Sequence, residues 1–301
     1  MGEPVTHPLF RRGVFLADKP QGPTSHQVSA WVRDLVGAAR AGHAGTLDPR
    51  VTGVLPIAFN DATRALDALL VGDKEYVGVL ELHQDVPAEK VHSMFRRFTG
   101  PIYQMPPVRS AVKRELRVRT IHELELLERE DRHVLFRTRC ESGTYIRTLA
   151  NDLGEALGVG AHLVDLRRTR TGPFREAEIH PLLDLQDAVA FWREGGDDTH
   201  LKALIHPMER LLEHLPRIVV KDTAVDAICH GANLMVPGIS SMDAGITKGA
   251  LVALVTAKGE GVALAEVALT PSQVESTRKG VVADTERVLM DPGTYPKGWR
   301  S

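Results

Sequence analysis

Residues 42–56 constrain this chain more than any other stretch, because they set a turn-rich loop directly against an apolar run. Glycine and proline around Asp48 favour turns over helix, so the one carboxylate of the stretch lies on irregular backbone. The run at 54–59 is typical of a buried strand. An acid on a loop beside such a strand is placed to act on a group held in a cleft. The alternative is an Asp that only forms a turn or caps a helix.

Composition narrows the class of protein without identifying it. A length of 301 residues with 43% apolar residues allows about two domains, each with its own core. Cys140 and Cys229 lie far apart without a CxxC partner, so we predict no disulfide framework and no metal site. The net charge of −2 means that any nucleic-acid binding must come from local basic clusters. The N-terminus lacks a signal-like apolar core and no window reaches the ~18 apolar residues of a membrane span, so we expect a cytoplasmic protein.

Hydrophobic spacing predicts strands and helices through most of the chain. Strands are expected at 13–17, 121–127 and 133–140, and at 74–82, where Tyr76, Gly78, Leu80 and Leu82 share one face. Helices are expected with these buried faces: Val28, Trp31, Val32 and Leu35; Ala62, Leu66, Leu69 and Leu70; Val91, Phe95 and Phe98; Ile146, Leu149, Leu153 and Leu157. Beyond Pro216, short strands punctuated by glycine predict a separate small barrel or sandwich.

Arg147 is expected in the first turn of the helix that starts near residue 146. The N-terminal end of a helix already carries partial positive charge, so a cation is poorly placed there. A nearby carboxylate would explain the placement.

A basic arm is predicted between residues 102 and 120. Residues 105–119 hold five cations and one acid, and Arg109, Lys113 and Arg114 stand among them. Prolines keep the segment from being a helix, so its charges are not explained by pairing along a helix. The arm is either a solvated surface or a contact for RNA phosphates, and we favour the second.

Three motifs in this order resemble those of the TruB and dyskerin family of pseudouridine synthases. They are Gly-His-Ala-Gly-Thr-Leu-Asp-Pro at 42–49, Lys-Glu-Tyr-Val at 74–77 and Gly-Thr-Tyr-Ile-Arg-Thr-Leu at 143–149. The resemblance implies that Asp48 is the nucleophile, that Tyr76 stacks on the target base and takes part in proton transfer, and that Arg147 pairs with Asp48.

The resemblance also implies substrate contacts. His43 would act as a wedge in the place of the extruded base, unless it only makes local hydrogen bonds. Lys19, in a Lys-Pro-x-Gly-x-Thr-Ser motif, would sit against the catalytic loop, although its spacing alone suggests a surface charge. Tyr145 would contact the substrate and Leu166 would wall the uracil pocket. Three arginines after Leu166 are candidates for RNA phosphates: Arg167, Arg168 and Arg170.

The fold class implied is α+β, a pseudouridine synthase fold with a central mixed or antiparallel sheet and flanking helices, plus a C-terminal small β-barrel PUA domain. We expect an N-terminal segment at 1–12 that packs on the PUA domain, a catalytic domain at 13–213, the PUA domain at 214–293 and a tail at 294–301.

Uridine isomerisation needs no redox cofactor, metal or nucleotide, and no motif for one is present. Within the family, the short arm and the Leu-Arg-Arg-Thr-Arg-Thr-Gly-Pro-Phe segment look like the archaeal dyskerin-like enzyme of box H/ACA particles, although Ala44 stands where that branch more often has glycine. The implied partners are substrate RNA (rRNA and tRNA), a box H/ACA guide RNA, a small zinc-binding helper protein, a β-barrel helper protein and a kink-turn-binding ribosomal protein. The alternatives are a stand-alone tRNA pseudouridine synthase and an RNA-binding scaffold with an idle pocket.

Overall fold

The computed structural model describes residues 7–106 and 113–297, and the first part of this chain is built on one large sheet. Ten strands belong to it: β1 (Gly13–Lys19), β2 (Ala41–His43), β3 (Thr52–Phe59), β4 (Lys74–Leu82), β5 (Gly100–Gln104), β6 (Arg117–Glu130), β7 (His133–Cys140), β8 (Ala161–Thr171), β9 (Phe174–Arg175) and β10 (Ile205–Pro207).

The order of the main strands is β10-β1-β3-β8-β4-β7-β6-β5, with β2 added to β3 and β9 to β8. The pair β3 and β8 runs parallel, whereas β8 and β4 run antiparallel, so the predicted mixed sheet is confirmed. Strand β4 alternates between buried and half-buried positions, with Tyr76 and Leu80 on the buried face as the period of two predicts. Because β8 lies between β3 and β4, it brings the loop before β3 close to Tyr76.

The α-helices are α1 (Leu9–Arg12), α2 (Ser25–Val36), α3 (Ala88–Arg97), α4 (Ile146–Leu157), α5 (Leu182–Gly195), α6 (Thr199–Leu204), α7 (Asp222–Cys229) and α8 (Pro271–Ser276), and 3₁₀ helices lie at Asn60–Leu70, Glu176–Glu178, Met208–Leu212 and Val236–Gly238. Helix α2 begins with a capping box in which Thr24 and Gln27 bond each other's backbone. Helix α4 buries the predicted leucine stripe and ends at Gly158 in the left-handed conformation.

Two of the predicted buried residues are exposed. The side chain of Trp31 lies outside the stripe of α2 that buries Val28 and Val32, so 49% of Trp31 is accessible. Leu70 is 53% exposed because it is the last residue of a 3₁₀ helix, whose buried side ends at Leu69. In both helices, the prediction assigned one residue too many to the buried face.

A second sheet forms the C-terminal part of the chain. Its strands are β11 (Arg217–Val220), β12 (Leu234–Met235), β13 (Ile239–Met242), β14 (Leu251–Val255), β15 (Gly261–Val267) and β16 (Val281–Val288), in the order β12-β16-β15-β14-β11-β13. The two sheets are not independent, since one hydrophobic cluster contains Leu16 and Leu69 from the first part together with Val255 and Leu264 from the second. This shared core is a feature that the sequence did not suggest.

Helix α1 also joins the two parts of the chain. The guanidinium of Arg12 donates to the carbonyl of Leu289 at 3.0 Å, and that of Arg11 donates to Asp291 at 2.8 Å. Phe10 is fully buried in the core around α2 and α5. The residue boundaries of the domains remain predictions.

None of the helices in the described parts of the chain is both long and apolar enough to cross a membrane.

Gly53 illustrates how closely β3 and β8 approach. It has a φ of +100°, and a Cβ atom there would lie 2.2 Å from the carbonyl oxygen of Arg168. We expect Gly53→Ala to lower the free energy of unfolding by about 3 kcal/mol or more, since backbone strain and overpacking add. Gly100→Ala is the matched control, because its φ is +110° but no atom lies within 4 Å of the new Cβ. Urea denaturation should show a clearly smaller loss for Gly100→Ala; equal losses would contradict the role of the close approach.

Candidate active site

Two fully buried polar side chains hydrogen-bond to the backbone of the loop that carries Asp48. Ser25, the first residue of α2, donates from Oγ to the carbonyl of Leu47 at 3.1 Å and accepts from the Leu47 amide at 2.9 Å. Lys19, the last residue of β1, donates from Nζ to the carbonyls of Pro49 at 3.2 Å and Val51 at 2.9 Å. The loop therefore has a fixed backbone at the positions on both sides of Asp48.

Lys19 is neither the surface charge that its spacing suggested nor a substrate contact. Its side chain is 0% exposed, so it is not a surface charge, and its ammonium group binds backbone carbonyls, so it does not reach a substrate. Burial is the main cause that lowers its pKa, and the charge of Asp48 opposes that shift. The family resemblance was right in placing Lys19 against the catalytic loop.

Arg168 is also a structural residue, contrary to the prediction that it binds a phosphate. It is 1% exposed, and its Nε and Nη2 donate to the carbonyl of Val54 at 2.9 and 2.8 Å. Its Nη1 donates to the carbonyl of Gly45 at 2.7 Å, which ties the catalytic loop to β8. No face of this guanidinium is left for RNA. The alternation of side chains along β8 places Arg168 on the buried face of the sheet. The run of arginines in the sequence does not indicate which of them is buried.

Asp48 and Arg147 form the expected ion pair between Oδ2 and Nη2, although 99 residues separate them in the chain. The pair explains the cation in the first turn of α4. Both side chains are more than half exposed, at 55% for Asp48 and 58% for Arg147, so the carboxylate is open to solvent. An exposed pair adds little to stability, and its main effect is to orient the carboxylate.

Tyr76 lies on β4, directly opposite Arg168 of β8 in the sheet register. It is 9% exposed, and burial raises the pKa of its phenol, while the charge of Arg168 opposes the shift. Leu166 packs in the same hydrophobic cluster, directly opposite Gly78 in the sheet register. A Cβ at Gly78 would lie 2.9 Å from Cδ1 of Leu166, so the glycine makes room for the leucine. Tyr76 and Leu166 thus form an apolar floor of two side chains.

His43 makes the local hydrogen bond that was the alternative to a wedge role. Its Nδ1 lies 2.9 Å from the hydroxyl of Ser29, and its ring contacts His26 edge to face with centroids 4.7 Å apart. Burial, followed by the charges of His26 and Arg168, lowers the pKa of His43 to about 4. The imidazole is therefore neutral at physiological pH.

Gln104 is a site residue that the sequence did not reveal. It is 2% exposed, and its side-chain amide donates to the carbonyl of Tyr145 at 3.1 Å and accepts from the Tyr145 amide at 2.9 Å. Because Tyr145 is the N-cap of α4, this contact fixes the start of the helix that carries Arg147. A glutamine inside the predicted basic arm carries no signal that distinguishes it from a surface residue.

The other residues predicted to contact RNA differ in how many bonds they make within the protein. Arg167 forms a two-pronged ion pair with Asp18 at 2.9 and 3.0 Å and a second pair with Glu176. Arg170 donates from Nε to the carbonyl of Gly172 at 3.1 Å. Lys113 is 80% exposed and pairs with Glu115, and Arg114 is exposed. Arg109 lies outside the described residues.

Within residues 7–106 and 113–297, no group of histidine, cysteine, aspartate and glutamate side chains is arranged to hold a metal ion.

The lowered pKa of His43 predicts a pH dependence of stability. At a pH between 6.5 and about 4, the unfolded chain binds a proton at His43 that the folded protein does not bind. The free energy of unfolding therefore has its full value at a pH above the pKa that His43 has in the unfolded chain, and it decreases as the pH falls through this range. We expect the urea midpoint of His43→Gln to fall less steeply with decreasing pH than that of the wild type. Parallel pH profiles would show that His43 is not the group responsible.

Three family models match consecutive parts of the chain. "TruB family pseudouridylate synthase (N terminal domain)" matches residues 33–146, "tRNA pseudouridylate synthase B C-terminal domain" matches 147–213 and "PUA domain" matches 216–289. The chain is 52% identical over 290 residues to the probable tRNA pseudouridine synthase B of Methanosarcina barkeri, covering 96% of this chain and 86% of the relative. It is 54% identical over 288 residues to the protein of that name from Methanopyrus kandleri, covering 96% and 85%.

Solved structures match over nearly the same length. In the crystal structure of a Cbf5-Nop10-Gar1 complex, a chain 49% identical to this one superimposes with a TM-score of 0.93, covering 97% of this chain and 90% of that one. In the structure of an H/ACA RNP bound to a substrate RNA containing 2'-deoxyuridine, a chain is 46% identical to this one and superimposes with a TM-score of 0.89. The match covers 97% of this chain and 89% of that one. With its predicted fold class confirmed, the chain belongs to the TruB family of pseudouridine synthases, which are isomerases that act on RNA.

Proposed function

We propose that this protein isomerises uridine to pseudouridine in rRNA and tRNA as the guide-RNA-directed catalytic subunit of an archaeal box H/ACA particle. The observation that carries the proposal is the 49% identity and TM-score of 0.93 to a chain of a Cbf5-Nop10-Gar1 complex. The names of the archaeal relatives favour a second candidate, a stand-alone tRNA pseudouridine synthase. The third candidate, an RNA-binding scaffold, is disfavoured because Asp48, Tyr76 and Arg147 are all present.

The proposed partners are a box H/ACA guide RNA, the substrate RNA, a small zinc-binding helper protein, a β-barrel helper protein and a kink-turn-binding ribosomal protein. Solved relatives were crystallised with Nop10, with Gar1 and with a substrate RNA, which supports an assembly of this kind. A cytoplasmic location belongs to the proposal because the RNA substrates are found there. Arg170, Lys113 and Arg114 are the proposed phosphate contacts, since Arg167 and Arg168 are engaged within the protein.

The proposed chemistry centres on the carboxylate of Asp48. One of its oxygens forms a covalent bond to either the base or the ribose of the target, and the bond between N1 and C1′ breaks. The base turns, a bond between C5 and C1′ forms, and the bond to Asp48 breaks to return the free carboxylate. C5 then loses its proton and N1 gains one. Arg147 holds the carboxylate in one orientation, so a direct geometric contribution to the rate is expected. The target must leave its stack to reach this position, and the apolar floor formed by Tyr76 and Leu166 offers it a replacement surface.

The environment of Tyr76 favours one of its two expected roles. A phenol whose pKa is raised by burial remains protonated at neutral pH and is a weak base. It presents an uncharged flat face to the uracil instead. We therefore propose stacking as its main role.

Replacing the nucleophile tests the proposed chemistry. We expect Asp48→Asn to reduce turnover by at least about a thousandfold while RNA affinity changes little, because the amide keeps the shape but not the nucleophilic oxygen. Arg147→Lys keeps the charge but loses the planar fork, so a loss of about ten- to a hundredfold is expected. Mass spectrometry of RNA fragments measures both. Activity of Asp48→Asn within about tenfold of wild type would remove Asp48 from the mechanism.

Guide dependence separates the first two candidates. The purified protein is incubated with rRNA and tRNA fragments, with and without a matching guide RNA and the helper proteins. We expect pseudouridine at the position opposite the guide only in the complete mixture. Equal modification of tRNA by the protein alone would support the stand-alone enzyme and contradict the guide-directed proposal.

A further inference from the structure

Lys74 is a buried titratable group that the chemistry described above does not use. It is the first residue of β4, two residues before Tyr76, and only 4% of it is exposed. Its side chain lies on the same buried face of the strand as Tyr76, as the period of two requires. A buried cation is costly unless its donors are satisfied, so the bonds that it makes show which part of the chain it holds.

The ammonium group of Lys74 binds the segment that leads into β4. It donates to the carbonyl of Leu69 at 2.7 Å and to that of Gly72. Leu69 belongs to the C-terminal end of the 3₁₀ helix Asn60–Leu70, where a cation is well placed, and Gly72 lies in the short connection that follows. Lys74 therefore ties the end of this helix to the strand that carries Tyr76.

The aliphatic part of the same side chain lies close to the catalytic loop. A Cβ atom added at Gly45 would be 3.7 Å from Cε of Lys74 and 3.0 Å from Nη1 of Arg168. The two cationic side chains thus adjoin the same glycine, three residues before Asp48. Lys74 is therefore next to both the loop that carries the nucleophile and the strand that carries Tyr76.

The groups around Lys74 favour loss of its proton. Burial, followed by the charge of Arg168 on β8, lowers the pKa of Lys74 to about 8. Asp73, the preceding residue, opposes the shift but already accepts a bond from Arg139 at 2.9 Å. Cys140, directly opposite on β7, stays a neutral thiol because burial raises its pKa to about 12. Lys74 therefore changes its charge close to neutral pH, unlike an exposed lysine.

A cavity of about 550 Å³ borders the same segment. It lies between the first part of the chain and the second sheet, and Gly72 and Asp73 line it. Two further titratable groups line it, Arg170 from β8 and His214 from the segment before β11. Burial lowers the pKa of His214, so its imidazole is neutral near pH 7 and adds no charge. Because the carbonyl that accepts from Lys74 belongs to a lining residue, the cavity brings water close to the ammonium group.

We propose that Lys74 is a positioning residue whose protonated form holds the catalytic loop and the first residues of β4 in the arrangement that the reaction needs. Hydrogen bonds from an ammonium group are roughly twice as strong as those from a neutral amine. A neutral Lys74 still has two N–H donors, so the segment stays folded but is held less tightly, and the ring of Tyr76 loses part of its fixed placement. The proposal rests on the proposed function, in which that ring receives the target base.

The pH dependence of single-turnover rates tests the proposal in the reconstituted particle. We expect the wild-type rate to fall about three- to tenfold between about pH 7 and pH 9.5, with a midpoint near 8, as the charge-assisted bonds weaken. Lys74→Arg keeps its charge throughout this range, so its rate should show no such fall. Dividing the wild-type rate by the Lys74→Arg rate at each pH removes any effect of pH on the RNA itself.

Two further variants complete the comparison. Lys74→Met lacks the titrating group, so we expect a reduced rate without a step near pH 8. Lys90→Met is the matched control, because Lys90 also donates to a backbone carbonyl, that of Leu157 at 3.0 Å, but is exposed on α3. It should keep both the rate and the pH profile of the wild type.

A direct titration of the lysine keeps the test independent of turnover and of the variant folding. In protein labelled with ¹³C at the lysine Cε atoms, the Lys74 signal is the one missing from Lys74→Arg. It should titrate with a midpoint near 8, whereas exposed lysines titrate above about 10. A midpoint above about 10 for Lys74 would overturn the proposal, as would a constant ratio of wild-type to Lys74→Arg rates. Absence of pseudouridine with the wild type at neutral pH would count against the proposed function, whereas an active wild type with a constant ratio counts against the role of Lys74 alone.

Discussion

The buried guanidinium of Arg168 is the interaction on which the rest of the site depends. It donates to the carbonyl of Gly45 in the catalytic loop and to that of Val54 in β3, and it lies opposite Tyr76 of β4 in the sheet register. Because a buried charge is costly unless its donors are satisfied, these bonds fix the relative position of loop and sheet. The loop that carries Asp48 and the strand that follows it are thereby held in register with β8 by one side chain.

Arg168 is one of three buried cations beneath the loop. Lys19 and Lys74 are also almost fully buried, and all three bind backbone carbonyls in place of carboxylates. Burial, followed by the charge of Arg168, lowers the pKa of Lys74 to about 8. Carbonyl oxygens solvate these cations without cancelling their charge, so the region behind the loop keeps a positive field that favours an approaching polyanion.

Above this rigid base, the reactive pair is open to solvent. Asp48 and Arg147 are more than half exposed, whereas the groups that position their backbones, such as Ser25 and Gln104, are buried. The protein therefore fixes the orientation of this pair without enclosing it.

The sequence by itself determined the elements, the mixed sheet and the catalytic motifs, because hydrophobic period and turn residues act locally and the motif that contains Asp48 has few other meanings. It also predicted the pairing of Arg147, since a cation at a helix start needs a partner. Only the tertiary structure decided which of the other cationic side chains are buried and which are exposed. Whether Lys19 or Arg168 reaches solvent or turns inward depends on which carbonyls β1, β3 and β8 bring within a few ångströms, and that distance is set by strand pairing across the whole sheet.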